Sequence, residues 1–114
     1  FLKKVADPKR FGVPVFEGEK IIRIEEKPQE PKSEYAVTGL YLYDSKCFEY
    51  IRGLRPSDRG ELEITEVNNA YIKEGELKWK ELKGFWSDAG TFESLFKTNE
   101  YWAHRGLTEG LKKG

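Results

Sequence analysis

Apolar and charged positions alternate along most of this chain, and the period of the alternation changes several times. Residues 1–6 read as the end of a strand, closed by the turn pair Asp7-Pro8. Residues 11–17 are apolar around Val13 and Val15, and residues 20–26 set Ile22 and Ile24 between charges. With Gly18-Glu19 between them, the two runs predict a hairpin. Pro28, Pro31 and the charges between them predict an exposed loop. Residues 36–43, Ala-Val-Thr-Gly-Leu-Tyr-Leu-Tyr, are β-branched and aromatic on both faces and predict a buried strand.

The later segments shift to helical spacing. Asp44 or Ser45 can cap a short helix bearing Cys47, Phe48 and Ile51, which stops at Gly53. Asp58 and Glu61 have the spacing of a capping box, and the helix they start would bury Leu62, Val67, Ala70 and Tyr71 before Gly75. Residues 77–82 alternate Leu, Trp and Leu with charges, predicting a strand with one wet face. Thr91 can cap a last helix with Phe92, Leu95, Phe96 and Trp102 at helical spacing. The tail from Gly106 is expected to be loose. Strands alternating with helices place the chain in the α/β class. A strand apolar on both faces needs a neighbour on each edge, and the chain supplies few, so a partial sheet is expected.

Composition narrows the functional classes. The chain has 114 residues, 38% hydrophobic and 14% aromatic, which is a folding composition. Twenty basic residues balance twenty acidic ones with the signs interspersed, so there is no basic stripe for a nucleic acid. No apolar run is long enough for a membrane span, and no leader pattern opens the chain. A single cysteine, Cys47, cannot form an internal disulfide, and a cytoplasmic protein is expected. The chain opens on Phe1 and has no Met, so it reads as a piece of a longer protein. Charged residues reach 35%, a bias found in proteins of heat-loving organisms.

Four segments could carry chemistry. In Arg10-Phe11-Gly12-Val13, a glycine enters a strand, where either a ligand approaches the backbone or a turn is relieved. Glu25-Glu26-Lys27-Pro28 stands at the carboxyl end of a strand, where open α/β sheets bind ligands, and Pro28 should hold Lys27 extended. Val37-Thr38-Gly39 places a glycine inside the buried strand, for close contact with a ligand or for helix packing. Trp86-Ser87-Asp88-Ala89-Gly90-Thr91 sets a carboxylate before a helix, as a magnesium ligand or as a complement to the helix dipole. One Cys and one His, His104, leave no soft-metal site and no Cys–His nucleophile pair.

In order, these segments resemble the second half of the sugar-1-phosphate nucleotidylyltransferases, in particular the branch that transfers a thymidylyl group to glucose 1-phosphate. The resemblance lies in Val5-Ala6-Asp7-Pro8 with Arg10-Phe11-Gly12-Val13, in Glu25-Glu26-Lys27-Pro28, and in Pro31-Lys32-Ser33 with Tyr35 to Tyr41. It continues through Arg59-Gly60-Glu61-Leu62-Glu63-Ile64-Thr65-Glu66-Val67-Asn68 and through Trp86, Asp88, Gly90 and Thr91. The resemblance implies a Rossmann-like nucleotide-diphospho-sugar transferase fold, here a partial mixed sheet with flanking helices over residues 1–105 and a tail at 106–114. Gly12 would meet a sugar hydroxyl through its backbone, Glu26 would bind hydroxyls, and Lys27 would bind the sugar phosphate as the catalytic cation. Val37 and Trp86 would line the pocket, and Asp88 would be one of two aspartates holding Mg²⁺.

Departures from that pattern set further expectations. The family's Gly-x-Gly-Thr-Arg-Leu loop, which grips the triphosphate, has no counterpart here, nor does the second metal aspartate. Phe11 replaces the usual tyrosine, and the hairpin is slightly shorter. The chain alone is therefore expected to be inactive, to take sugar 1-phosphate, and to meet a nucleoside triphosphate only with the missing half. Exposed strand edges point to a homo-oligomer. A guanylyl- or uridylyl-transferring relative, or a non-catalytic sugar-phosphate-binding module, stays open.

Overall fold

Four strands and three helices follow one another as β1 (Leu2–Lys4), β2 (Gly12–Glu17), β3 (Lys20–Glu26), β4 (Tyr35–Val37), α1 (Cys47–Gly53), α2 (Ile64–Lys73) and α3 (Phe92–His104) in a computed structural model that describes residues 1–105. The expected tail from Gly106 lies outside the described residues. The chain divides into one unit, Phe1–Lys83, and a second beginning at Gly84.

In the first unit the hairpin forms as expected. Gly18 turns it at φ 60°, and β2 pairs antiparallel with β3 from Gly12↔Glu26 to Glu17↔Lys20, with a bulge between Val15 and Phe16. β1 pairs antiparallel with β4, Leu2 opposite Val37 and Lys4 opposite Tyr35. On its other side Leu2 makes a parallel bridge to Glu81, its N–H donating to the Lys80 carbonyl at 3.0 Å. Antiparallel ladders, one parallel bridge and flanking helices make a mixed α/β architecture.

α2 packs on β3, and side chains stitch the two together. The Asn69 amide accepts the Ile24 N–H at 2.8 Å and donates to the Ile24 carbonyl at 3.0 Å, so the strand's outer edge is satisfied without another strand. Leu2, Ile21 and Ile24 form one core cluster with Phe16, Tyr35 and Trp79 against it; Cys47, Val67 and Tyr71 form another with Tyr43 and Tyr50. Phe16, Tyr35 and Trp79 meet edge to face, the favoured geometry for aromatic quadrupoles.

Several expectations need correction. The strand expected over residues 36–43 ends at Val37, because Gly39 adopts φ 76° and turns the backbone out of the ladder. A Cβ on Gly39 would meet no atom of the chain within 4 Å, so helix packing does not account for this glycine, whereas its left-handed backbone does. Beyond it, Tyr41, Leu42 and Tyr43 have no backbone hydrogen bond among the described residues, and Leu42 is 85% exposed. The helix expected from Asp58 starts at Ile64 with Glu63 as its cap, since Gly60 turns at φ 74° and Arg59 pairs with Glu61 and Glu63 instead; Leu62 is left exposed. Residues 77–82 contribute a single bridge instead of a strand. The α1 cap is Lys46 without a side-chain hydrogen bond, although Asp44 accepts the Lys46 N–H at 3.1 Å just before it.

In the second unit the Thr91 cap is as expected. Its hydroxyl accepts the Ser94 N–H and the Ser94 hydroxyl accepts the Thr91 N–H, both at 3.1 Å, a reciprocal capping box. Phe85 stacks on Tyr101 at 3.7 Å between ring centres. The apolar face of α3 is not buried: Phe92 is 95% exposed, and Leu95, Phe96 and Trp102 are exposed as well. No helix among the described residues is long and apolar enough to cross a membrane.

Candidate functional site

The hairpin register puts two of the expected site residues opposite each other. Gly12 opens β2 directly across from Glu26, the last residue of β3. Gly12 is buried, and a Cβ there would lie 3.3 Å from Glu26 Oε2, 3.4 Å from Ile24 and 3.5 Å from Thr65 Oγ1. The glycine therefore makes room for the carboxylate folded over it, and a turn does not explain it. Glu26 Oε2 accepts a hydrogen bond from Thr65 Oγ1 at 2.6 Å, across from α2. Glu26 Oε1 accepts none among the described residues. One carboxylate oxygen is anchored and the other is available.

Lys27 follows immediately, exposed and past the end of the strand. Its backbone is left-handed, at φ 45°, the one non-glycine residue with positive φ among the described residues. This corrects the expectation that Pro28 keeps it extended. The turn is fixed by the Lys27 N–H donating to the Phe11 carbonyl at 3.0 Å, one step beyond the ladder. Successive strand residues point to opposite faces, so this bend re-aims the ammonium relative to Glu26. Left-handed backbone at a bulky residue costs about 1–2 kcal/mol and concentrates at functional sites.

Val37 sits elsewhere, at the end of β4. It borders a cavity of about 610 Å³ whose wall includes Tyr41, Tyr43, Tyr71, Leu77 and Trp79, but not Gly12, Glu26 or Lys27. Tyr41, Tyr43 and Tyr71 stack in succession at 5.5 and 5.6 Å. Tyr43 donates to Asn68 Oδ1 at 2.8 Å and Tyr71 to Asp44 Oδ1 at 2.6 Å. Burial pushes the Tyr43 and Tyr71 hydroxyls well above their ordinary range, and the Tyr71 hydrogen bond holds the Asp44 carboxyl below its own. Burial raises Tyr41 too, with the Glu26 charge adding to it, so Tyr41 lies within electrostatic reach of the Glu26 carboxylate.

Trp86 and Asp88 belong to the second unit, both half-buried. Asp88 Oδ2 accepts the Gly90 N–H and the Ser94 hydroxyl, each at 3.2 Å, which ties the carboxylate to the first turn of α3. No group of three or more His, Cys, Asp or Glu able to hold a metal occurs among the described residues.

The Glu26 carboxylate folded over Gly12, with Lys27 in left-handed backbone beside it, stands on a mixed α/β scaffold. The chain belongs to the Nucleotidyl transferase family, whose profile matches residues 1–105. It is similar to the glucose-1-phosphate thymidylyltransferases of Neisseria meningitidis serogroup A, 48% identical over 89% of this chain and 36% of the relative, and of Xanthomonas campestris pv. campestris, 45% identical over 95% and 38%. The crystal structure of a Bacillus anthracis protein described as a glucose-1-phosphate thymidylyltransferase, in complex with sucrose, matches with a TM-score of 0.80 and 60% identity over 88% of this chain and 41% of that one. The chain spans less than half the length of these relatives.

Thr65 and Asn69 carry no sequence signal that marks them as site residues. Thr65 lay within a stretch singled out by resemblance, but nothing in its type or spacing marked it as the partner of Glu26. Asn68 and Asn69 adjoin inside an otherwise ordinary helix; only the register of α2 on β3 distinguishes them.

Proposed function

We propose that this chain is the sugar-phosphate-binding part of a nucleotidyl transferase that joins dTTP to glucose 1-phosphate and releases pyrophosphate. The observation that carries the reading is the Glu26 carboxylate folded over Gly12, with Lys27 turned out of the strand beside it. Glu26 Oε1 accepts a sugar hydroxyl, the Gly12 backbone meets another, and the Lys27 ammonium holds the phosphate. In the reaction, a sugar-phosphate oxygen bonds to the α-phosphorus as the bond to pyrophosphate breaks. The protein's part is positioning and charge neutralisation, without a nucleophilic side chain. Asp88 would hold Mg²⁺, which when bound neutralises charge on the phosphates.

The same reading assigns triphosphate binding and a second carboxylate to sequence outside this chain, so the isolated chain binds glucose 1-phosphate but does not turn it over. It also makes the protein cytoplasmic, and self-associating through the unpaired backbone of residues 41–43. Titrating the chain with glucose 1-phosphate by NMR tests the site. Shifts at Gly12, Glu26 and Lys27, weakened about tenfold in Lys27→Ala, are expected; their absence would refute the assignment. Pyrophosphate release by the isolated chain with dTTP would refute its inactivity, and a monomer at all concentrations in sedimentation would refute self-association.

A further inference from the structure

The segment from Arg59 to Asn68 resembles the family throughout, yet the resemblance assigns none of its residues a role at the site. The structure gives one of them a part. We propose that Thr65 is a positioning residue: its hydroxyl fixes the Glu26 carboxylate over Gly12 so that Oε1 is presented to the sugar. This rests on the reading of Glu26 as a sugar ligand.

Three observations carry it. Thr65 is 4% exposed, and its hydroxyl donates to Glu26 Oε2 at 2.6 Å, the length of a hydroxyl bond to a charged acceptor. A Cβ at Gly12 would lie 3.3 Å from Glu26 Oε2 and 3.5 Å from Thr65 Oγ1, so only glycine leaves the pair its space and a larger residue at 12 would displace the carboxylate. Four residues on, Asn69 grips both backbone groups of Ile24, two residues before Glu26. α2 therefore meets β3 at two points, and Thr65 cannot drift from Glu26 without breaking the Asn69 contacts. A free glutamate at a strand end samples many rotamers. One tied at Oε2 has lost that freedom before the sugar arrives, and affinity rises by the cost avoided.

The experiment compares Thr65→Val, Thr65→Ser and Glu26→Gln in the whole chain. Glucose 1-phosphate binding and the Glu26 side-chain rotamer, from three-bond couplings, are both read. Valine keeps the shape of threonine without its hydroxyl, and serine keeps the hydroxyl. Thr65→Val is expected to weaken glucose 1-phosphate about tenfold or more, as loss of a hydrogen bond to a charged group does, while Thr65→Ser binds like the parent. Glu26 should average over rotamers in the valine variant and hold one in the parent. If Glu26→Gln weakens binding and Thr65→Val does not, Thr65 has no positioning role and the inference falls alone. If Glu26→Gln leaves binding unchanged, the sugar-ligand reading falls, and the rotamer decides on Thr65: a Glu26 equally fixed in valine and parent overturns it. Should Thr65→Val fail to fold, a serine variant with mobile Glu26 and weakened binding overturns it as well.

Discussion

The Asn69 side chain closes a two-way hydrogen bond with the backbone of Ile24, accepting from its N–H and donating to its carbonyl. A side-chain amide thus stands where a neighbouring strand would otherwise pair. Replacing Asn69 with alanine orphans a half-buried donor and acceptor together, and is expected to lower stability by about 2–3 kcal/mol in urea unfolding. Asn69→Asp keeps the acceptor for the Ile24 N–H but sets a charged oxygen against the Ile24 carbonyl, so at neutral pH it should lose at least as much as alanine.

Gly12→Ala tests the crowding over the hairpin's open end. The new methyl would stand 3.3 Å from Glu26 Oε2, which is tied to Thr65 and cannot simply swing aside. A loss of about 1–3 kcal/mol, in the range of overpacking, is expected, together with weaker glucose 1-phosphate binding. In a Thr65→Val background the carboxylate can yield, so the same substitution should cost less. Strict additivity in that double-mutant cycle would contradict the geometry.

At Lys27 the backbone and the side chain make separable predictions. Lys27→Gly removes the charge and suits the left-handed backbone; Lys27→Ala removes the same charge and keeps the strain. Both should bind glucose 1-phosphate more weakly, but the glycine variant should be the more stable by about 1 kcal/mol. Equal unfolding midpoints would argue against positive φ at this position in solution.

Asp44 gives the fold a pH dependence at its acid end. The Tyr71 hydroxyl lowers its pKa from the ordinary value of 3.8, so the native state favours the charged form. The resulting stability is fully present above pH 3.8 and disappears as pH falls from there through the lowered native value. Tyr71→Phe should therefore be less stable than the parent at neutral pH, with the gap narrowing in acid. Unfolding midpoints across that range measure it, and a gap that stays constant would assign the effect to packing alone.

What could be read from the chain depended on how local the physics was. The Gly18 hairpin and the Thr91 cap are decided within a few residues, and both formed where the pattern put them. Residues 36–43 have the composition of a strand, but a strand exists only where a partner pairs with it. β1 reaches β4 as far as Val37, and no described residue pairs with 41–43. α2 starts at Ile64 and not near Asp58, because Asp58 and Glu61 imitate a capping box that Gly60 breaks. At the site, Gly12, Glu26 and Lys27 were visible as residue types that suit a polar ligand. The contact that fixes Glu26 joins positions 39 residues apart and leaves no local trace.

The docking of α2 on β3 works like a vernier. Thr65 and Asn69 are one helical step of four apart, about 6 Å along the axis, and Ile24 and Glu26 are about 6.6 Å apart along the strand. The two spacings match at this register and at no neighbouring one, since a slip of one residue rotates the helix by about 100° and turns both side chains away. The carboxylate above Gly12 is consequently set in discrete steps: the helix is seated and Glu26 is aimed, or the helix is displaced and both grips fail together. Substitutions on the buried side of α2, far along the chain from the hairpin, thereby become a handle on how Glu26 is aimed.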